Sequence, residues 1–89
     1  MGKIENLRRE IDETDTKIIR LLRQRFRIAV KIGKYKKIMG LKIRDFKRER
    51  QLLNRVAEKA KKQGIKDAKE IKKIFNGIMA YSRKVQGKI

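Results

Sequence analysis

Apolar residues recur at helical spacing along the first forty positions, as Ile4, Leu7, Ile11, Ile18, Leu22, Ala29 and Ile32. That stripe predicts one long amphipathic helix. Arg25 and Lys36 fall in phase with it, where a helix is expected to be apolar. In a second segment Glu49 keeps step with Leu52, Val56 and Ala60, and in a third Ser82 and Gln86 continue the line of Ile71, Phe75 and Ile78. Five polar groups on three helices therefore face inward, which points to a built site.

The boundaries follow from local chemistry. The first helix is predicted from about Ile4 to about Met39, a length of roughly 50 Å. Gly40 is suited to the residue after its end, and Leu41 to Arg44 form a short connection. Asp45 can cap a second helix reaching about Gln63 and stopping at Gly64. Asp67, with Glu70 three residues on, resembles a capping pair for a third helix that runs to about Gln86 and ends at Gly87. No strand alternation is visible in the sequence, so the expected fold is all-α, with one long and two shorter helices in a single domain over residues 1–89. The two shorter helices, each about 27 to 30 Å, cannot cover the first. Burying the rest of its stripe against a second copy predicts an intertwined six-helix homodimer.

Composition narrows the chemistry. The 89 residues contain no cysteine and no histidine, which excludes disulfides, thiol nucleophiles, imidazole bases and Cys or His metal ligands. Reaction chemistry is left to carboxylates, amines, guanidiniums, hydroxyls and amides. The chain opens Met-Gly-Lys-Ile-Glu-Asn with no apolar leader core and has no long apolar run, so a soluble, cytoplasmic protein with no membrane partner is expected. Lys and Arg number 28 against 10 Asp and Glu, a net charge of +18, which calls for an anionic partner. Nucleic acid is the general reading of such a charge, and with the basic residues running evenly from Lys3 to Lys88 the charge pattern alone leaves it open; inward-facing Arg25 and Lys36 argue against it.

Each candidate has an ordinary reading beside the functional one. Arg25 and Lys36 are eleven residues apart, about 16 Å along the axis and about 20° around it, so they could grip a small anion from both ends. At a stripe's edge each could instead snorkel its charge to water. Arg8 lies about 25 Å from Arg25 and about 100° around the helix, so it could serve the same ligand only from a symmetry mate. Asp45, Arg48 and Glu49 sit at a helix start, which favours anions and hydroxyls; Arg48 and Glu49 could equally be surface ion pairs with Arg44 or Arg55. Ser82 and Gln86 are neighbours on one face. Glu10, Asp12, Glu13 and Asp15 read better as a face salt-bridged to Arg8, Arg9 and Lys17 than as a cation site.

Taken together, Leu7 to Asp15 (LRREIDETD), Leu21 to Arg25 (LLRQR), Ile32 to Lys36 (IGKYK), Asp45 to Glu49 (DFKRE) and Ser82 to Gln86 (SRKVQ) closely resemble the all-helical chorismate mutases. The resemblance spans Leu7 to Gln86. Phe46 departs from it, since many members carry proline there, and the basic balance is extreme for the family. The resemblance implies a Claisen rearrangement of chorismate to prephenate on the route to phenylalanine and tyrosine, without a cofactor. The substrate is a dicarboxylate with an enol-ether oxygen and a ring hydroxyl. By that match Arg25 and a partner chain's Arg8 would pair with carboxylates, and Arg48 and Ser82 would complete their shell. Lys36 and Gln86 would donate to the ether oxygen, and Glu49 with the backbone at Asp45 would hold the hydroxyl. An isochorismate pyruvate lyase of the same fold is the alternative enzyme, and a basic helical nucleic-acid-binding protein the alternative of another class.

Overall fold

The helices stop where glycine makes stopping easy. In the computed structural model, which describes residues 2–88, α1 spans Gly2–Met39, α2 Phe46–Lys62 and α3 Ala68–Gln86. Gly40 and Gly64 follow the first two with φ of 67° and 84°, backbone angles that a Cβ disfavours. Both form the doubly bonded helix stop. The Leu41 N–H reaches the Lys36 carbonyl at 2.8 Å and the Gly40 N–H that of Lys37 at 3.3 Å; Ile65 and Gly64 repeat the pattern on Ala60 and Lys61. At the starts, Asp45 Oδ1 accepts from the Arg48 N–H at 3.0 Å and Asp67 Oδ1 from the Glu70 N–H at 3.2 Å, so both expected aspartate caps are formed. No strand occurs among the described residues.

Helix α3 is the centre of the arrangement. It packs against both α1 and α2, whose backbones do not approach each other. Phe26 of α1 meets Tyr81 of α3 edge to face, 4.6 Å between centroids, which fixes the two helices beside Arg25 and Ser82. The core is small: Ala29 and Gly33 on α1, Ala60 on α2, and Met79 and Ser82 on α3 are the buried residues among those described. Because α3 has a neighbour on each side, its covered face is wider than one stripe and takes in Met79, Arg83 and Val85 as well as the predicted positions.

The outer half of α1 has no such cover. Ile4, Leu7, Ile11 and Ile18 are 58, 50, 58 and 49% exposed. The chain measures 57 × 25 × 15 Å, little thicker than a single layer of helices. Its radius of gyration is 16.3 Å, against about 12 Å for a compact chain of this length. The acidic residues of α1 correct one expectation, for none of the ion pairs among the described residues involves Glu10, Asp12, Glu13 or Asp15. Exposed pairs gain only about 0 to 1 kcal/mol, so their absence from this face costs α1 little. Thr14 and Thr16 instead donate back to the carbonyls of Glu10 and Asp12.

Candidate active site

The in-phase polar residues of α1 meet those of α3. Arg25 Nη1 donates to Ser82 Oγ at 2.7 Å, and Ser82 Oγ donates in turn to the Ile78 carbonyl at 2.9 Å. The serine is thereby fixed, and it fixes the guanidinium. Burial lowers the pKa of Arg25 from its ordinary value, and the charge of Arg48 lowers it further; an arginine so placed still keeps its proton at neutral pH. Its charge is thus partly stripped of water and faces another cation, a condition that a bound anion relieves.

Three turns along α1, Lys36 Nζ donates to Gln86 Oε1 at 3.1 Å and to the carbonyl of Ile43. An ammonium has three protons, so one remains for a ligand. Because the lysine occupies Oε1, the amide nitrogen of Gln86 is the group left to donate. Two fixed donors of hydrogen bonds therefore stand side by side, and neither snorkels to solvent as a lone charge at a stripe's edge would.

Helix α2 supplies the third wall. Asp45 uses its carboxylate as a cap and its carbonyl to accept the Glu49 N–H at 3.0 Å. Glu49 receives Arg83 Nη1 on Oε2 at 2.8 Å and Arg44 Nε on Oε1 at 3.4 Å. The ordinary reading of Glu49 as an ion-pair partner is thus right for Arg44, yet the carboxylate is mostly buried and lies in the same cavity as the donors.

Arg25, Lys36, Asp45, Arg48, Glu49, Ser82 and Gln86 all line one cavity of about 400 Å³, partly open to solvent, with an apolar wall of Ile28, Ala29, Ile32, Ile43, Leu52 and Met79. The volume suits a small organic ligand. Arg8 is not part of it; the side chain is exposed on the uncovered half of α1. Arg83 lines the cavity and was not singled out in the sequence. Its signal was the spacing of four from Met79, which becomes informative only once α3 is known to be covered on two sides. Four cations thus face two carboxylates, and among the described residues no group of three or more carboxylates could hold a metal ion. Such a cavity can bind a small dianion and direct hydrogen bonds at a neutral oxygen that gains charge.

Comparison with known proteins agrees in character. The family model described as chorismate mutase type II matches residues 7–87. The chain is 29% identical over 84 residues to a chorismate mutase of Methanocaldococcus jannaschii, covering 94% of this chain and 84% of that one. It is 38% identical over 56 residues to a bifunctional chorismate mutase/prephenate dehydratase of Aquifex aeolicus, which is 63% of this chain and only 16% of that protein. A solved chain from Pyrococcus furiosus, described as a conserved hypothetical protein, superposes with a TM-score of 0.79 at 40% identity over 97% of both chains.

Proposed function

Because the chain belongs to the chorismate mutase type II family, we propose that it is an isomerase converting chorismate to prephenate by an intramolecular Claisen rearrangement, on the route to phenylalanine and tyrosine. The observation that carries this reading is the pairing of Lys36 with Gln86 at one end of a cavity whose other end holds Arg25 on Ser82. The ether oxygen of chorismate gains negative charge as its C–O bond breaks. The spare proton of Lys36 and the amide of Gln86 meet that charge. Arg25, Arg48 and Ser82 take the carboxylates, for which a guanidinium offers a planar pair of donors. Glu49, with the backbone at Asp45, accepts and positions the ring hydroxyl.

The reaction is unimolecular and needs neither a nucleophile nor a cofactor. A barrier reduction on the order of 8 kcal/mol is the lower end for enzymes. Holding the ether in its compact chair-like conformer supplies the orientation part. Each donor fixed on developing charge can add about 3 to 4 kcal/mol. Lys36 and Gln86 are therefore the residues assigned to catalysis.

The proposed working unit is a two-fold homodimer of six intertwined helices, in which Arg8 of the partner subunit closes the cavity. In support, the single chain exposes 7855 Å², against about 5,500 Å² for a compact protein of its mass. The excess, about 2,400 Å² per chain and so about 4,800 Å² for two, is of the size that permanent interfaces bury in total. Supplying chorismate and following its loss spectrophotometrically, with prephenate identified as product, tests the reaction. No loss of chorismate, or its conversion to anything but prephenate, would overturn the reading.

A further inference from the structure

Glu49 has both carboxylate oxygens engaged, and from two different elements. Arg83 reaches Oε2 from α3, and Arg44 reaches Oε1 from the connection between α1 and α2. The Arg83 pair is mostly covered, its side chains 27 and 17% exposed, unlike the solvated Lys73–Glu70 pair at 71 and 59%. At 2.8 Å it is a charge-assisted hydrogen bond in a place where water competes poorly. Arg44 is itself steadied, its guanidinium lying 4.2 Å from the centre of the Phe46 ring. The position that departs from the family's proline thus has a task here.

A free glutamate would rotate about three bonds. Held at both ends of its carboxylate, Glu49 keeps one orientation and still has a lone pair on each oxygen with which to accept. So engaged, Glu49 forms no ion pair with Arg25, Lys36 or Arg48. An unclamped carboxylate could fold onto one of those cations and occupy a charge that a dianionic substrate requires.

We propose that Arg83, assisted by Arg44, is a positioning residue that aims the Glu49 carboxylate at the ring hydroxyl and thereby sets the selectivity of the cavity for hydroxylated substrate. The inference rests on the chorismate reading and adds to it two residues that act through Glu49. The test measures kcat and KM for the unmodified protein and for Arg83→Gln, Arg83→Lys, Arg44→Gln, Glu49→Gln and the double variant Arg83→Gln/Glu49→Gln. Each is assayed on chorismate and on the analogue lacking the ring hydroxyl, with circular dichroism as the control for folding. Arg83→Gln is expected to lower kcat/KM for chorismate by about ten- to a hundredfold, the worth of one hydrogen bond to a charged group, and to leave the analogue within about twofold. Lysine at position 83 should recover part of the loss. The double variant should be no worse on chorismate than Glu49→Gln alone, since the two residues act as one unit. Equal losses on both substrates, or additive losses in the double variant, would overturn the clamp while leaving the reaction in place. An unmodified protein that does not rearrange chorismate overturns the reaction and this inference with it. Should Arg83→Gln fail to fold, Arg44→Gln on its more exposed side chain decides by the same selectivity ratio.

Discussion

At the scale of single residues, the proposed reaction separates groups that hold charge from groups that meet charge as it forms. Gln86 is neutral, and its amide can donate at any ordinary pH. Replacing it with glutamate should make activity acid-dependent, because only a protonated carboxyl can donate to the ether oxygen and the ionised form would repel the charge growing there. The rate is expected to fall as pH rises through that group's pKa, with no such fall in the unmodified protein, and identical pH profiles would remove Gln86 from the site. Arg25 offers a second pH experiment. Burial, and then Arg48, lower its pKa from the ordinary value, and the same two causes would act on a lysine placed there, whose ordinary value is already closer to neutrality. Arg25→Lys should therefore lose kcat/KM with rising pH, and at a lower pH than the ordinary lysine value would give, the direction in which a desolvated amine beside another cation gives up its proton. A flat profile to about pH 10 would show that this position is better solvated than its surroundings imply.

At the scale of elements, the stop of α1 and the lysine proposed to be catalytic share a residue. The Lys36 carbonyl accepts the Leu41 N–H that closes the helix, while its ammonium holds the Ile43 carbonyl in the following connection. Gly40, at φ 67°, permits that turn. Gly40→Ala is expected to cost about 1 kcal/mol of stability and to lower kcat/KM as well, because the connection that anchors Lys36 and carries Arg44 would shift. Gly64→Ala makes the control, for Gly64 closes α2 in the same way but far from the cavity. It should cost a similar stability and leave turnover unchanged; urea denaturation alongside steady-state kinetics separates the two. Equal kinetic losses would mean that helix stability alone, not the anchoring of Lys36, controls the rate.

At the scale of the whole molecule, the thin single layer of helices leaves the outer half of α1 to a second copy in the proposed assembly. Arg8 and Arg25 lie too far apart in distance and angle to serve one ligand from one chain. Arg8→Ala and Arg25→Ala should each cripple both sites of their own dimer. In a mixed dimer one site receives Arg25 from the first variant and Arg8 from the second and is intact, while the other lacks both. Random mixing makes about half the dimers mixed, so unfolding and refolding the two inactive variants together should restore about a quarter of the unmodified activity. No recovery, with chain exchange confirmed independently, would place the whole site within a single chain.

What the sequence determined by itself is what local chemistry determines: three helices, their aspartate caps and glycine stops, and the face on which Arg25, Lys36, Glu49, Ser82 and Gln86 stand. Each depends on bonds within a few residues along the chain. Membership of the family was legible as well, since the five short segments keep their spacing over most of the length. The resemblance grouped Arg25 with Ser82 and Lys36 with Gln86 around one ligand, but which side chains bond directly to which was decided by tertiary structure. Arg25 finds Ser82, Lys36 finds Gln86 and Arg83 finds Glu49 across 57, 50 and 34 residues, because α3 settles between α1 and α2. Periodicity gives the direction of a side chain about its own axis and carries no information on the neighbour it will meet. For the same reason Arg83, at the edge of a face made wide by two neighbours, was visible in the sequence only as one more surface charge.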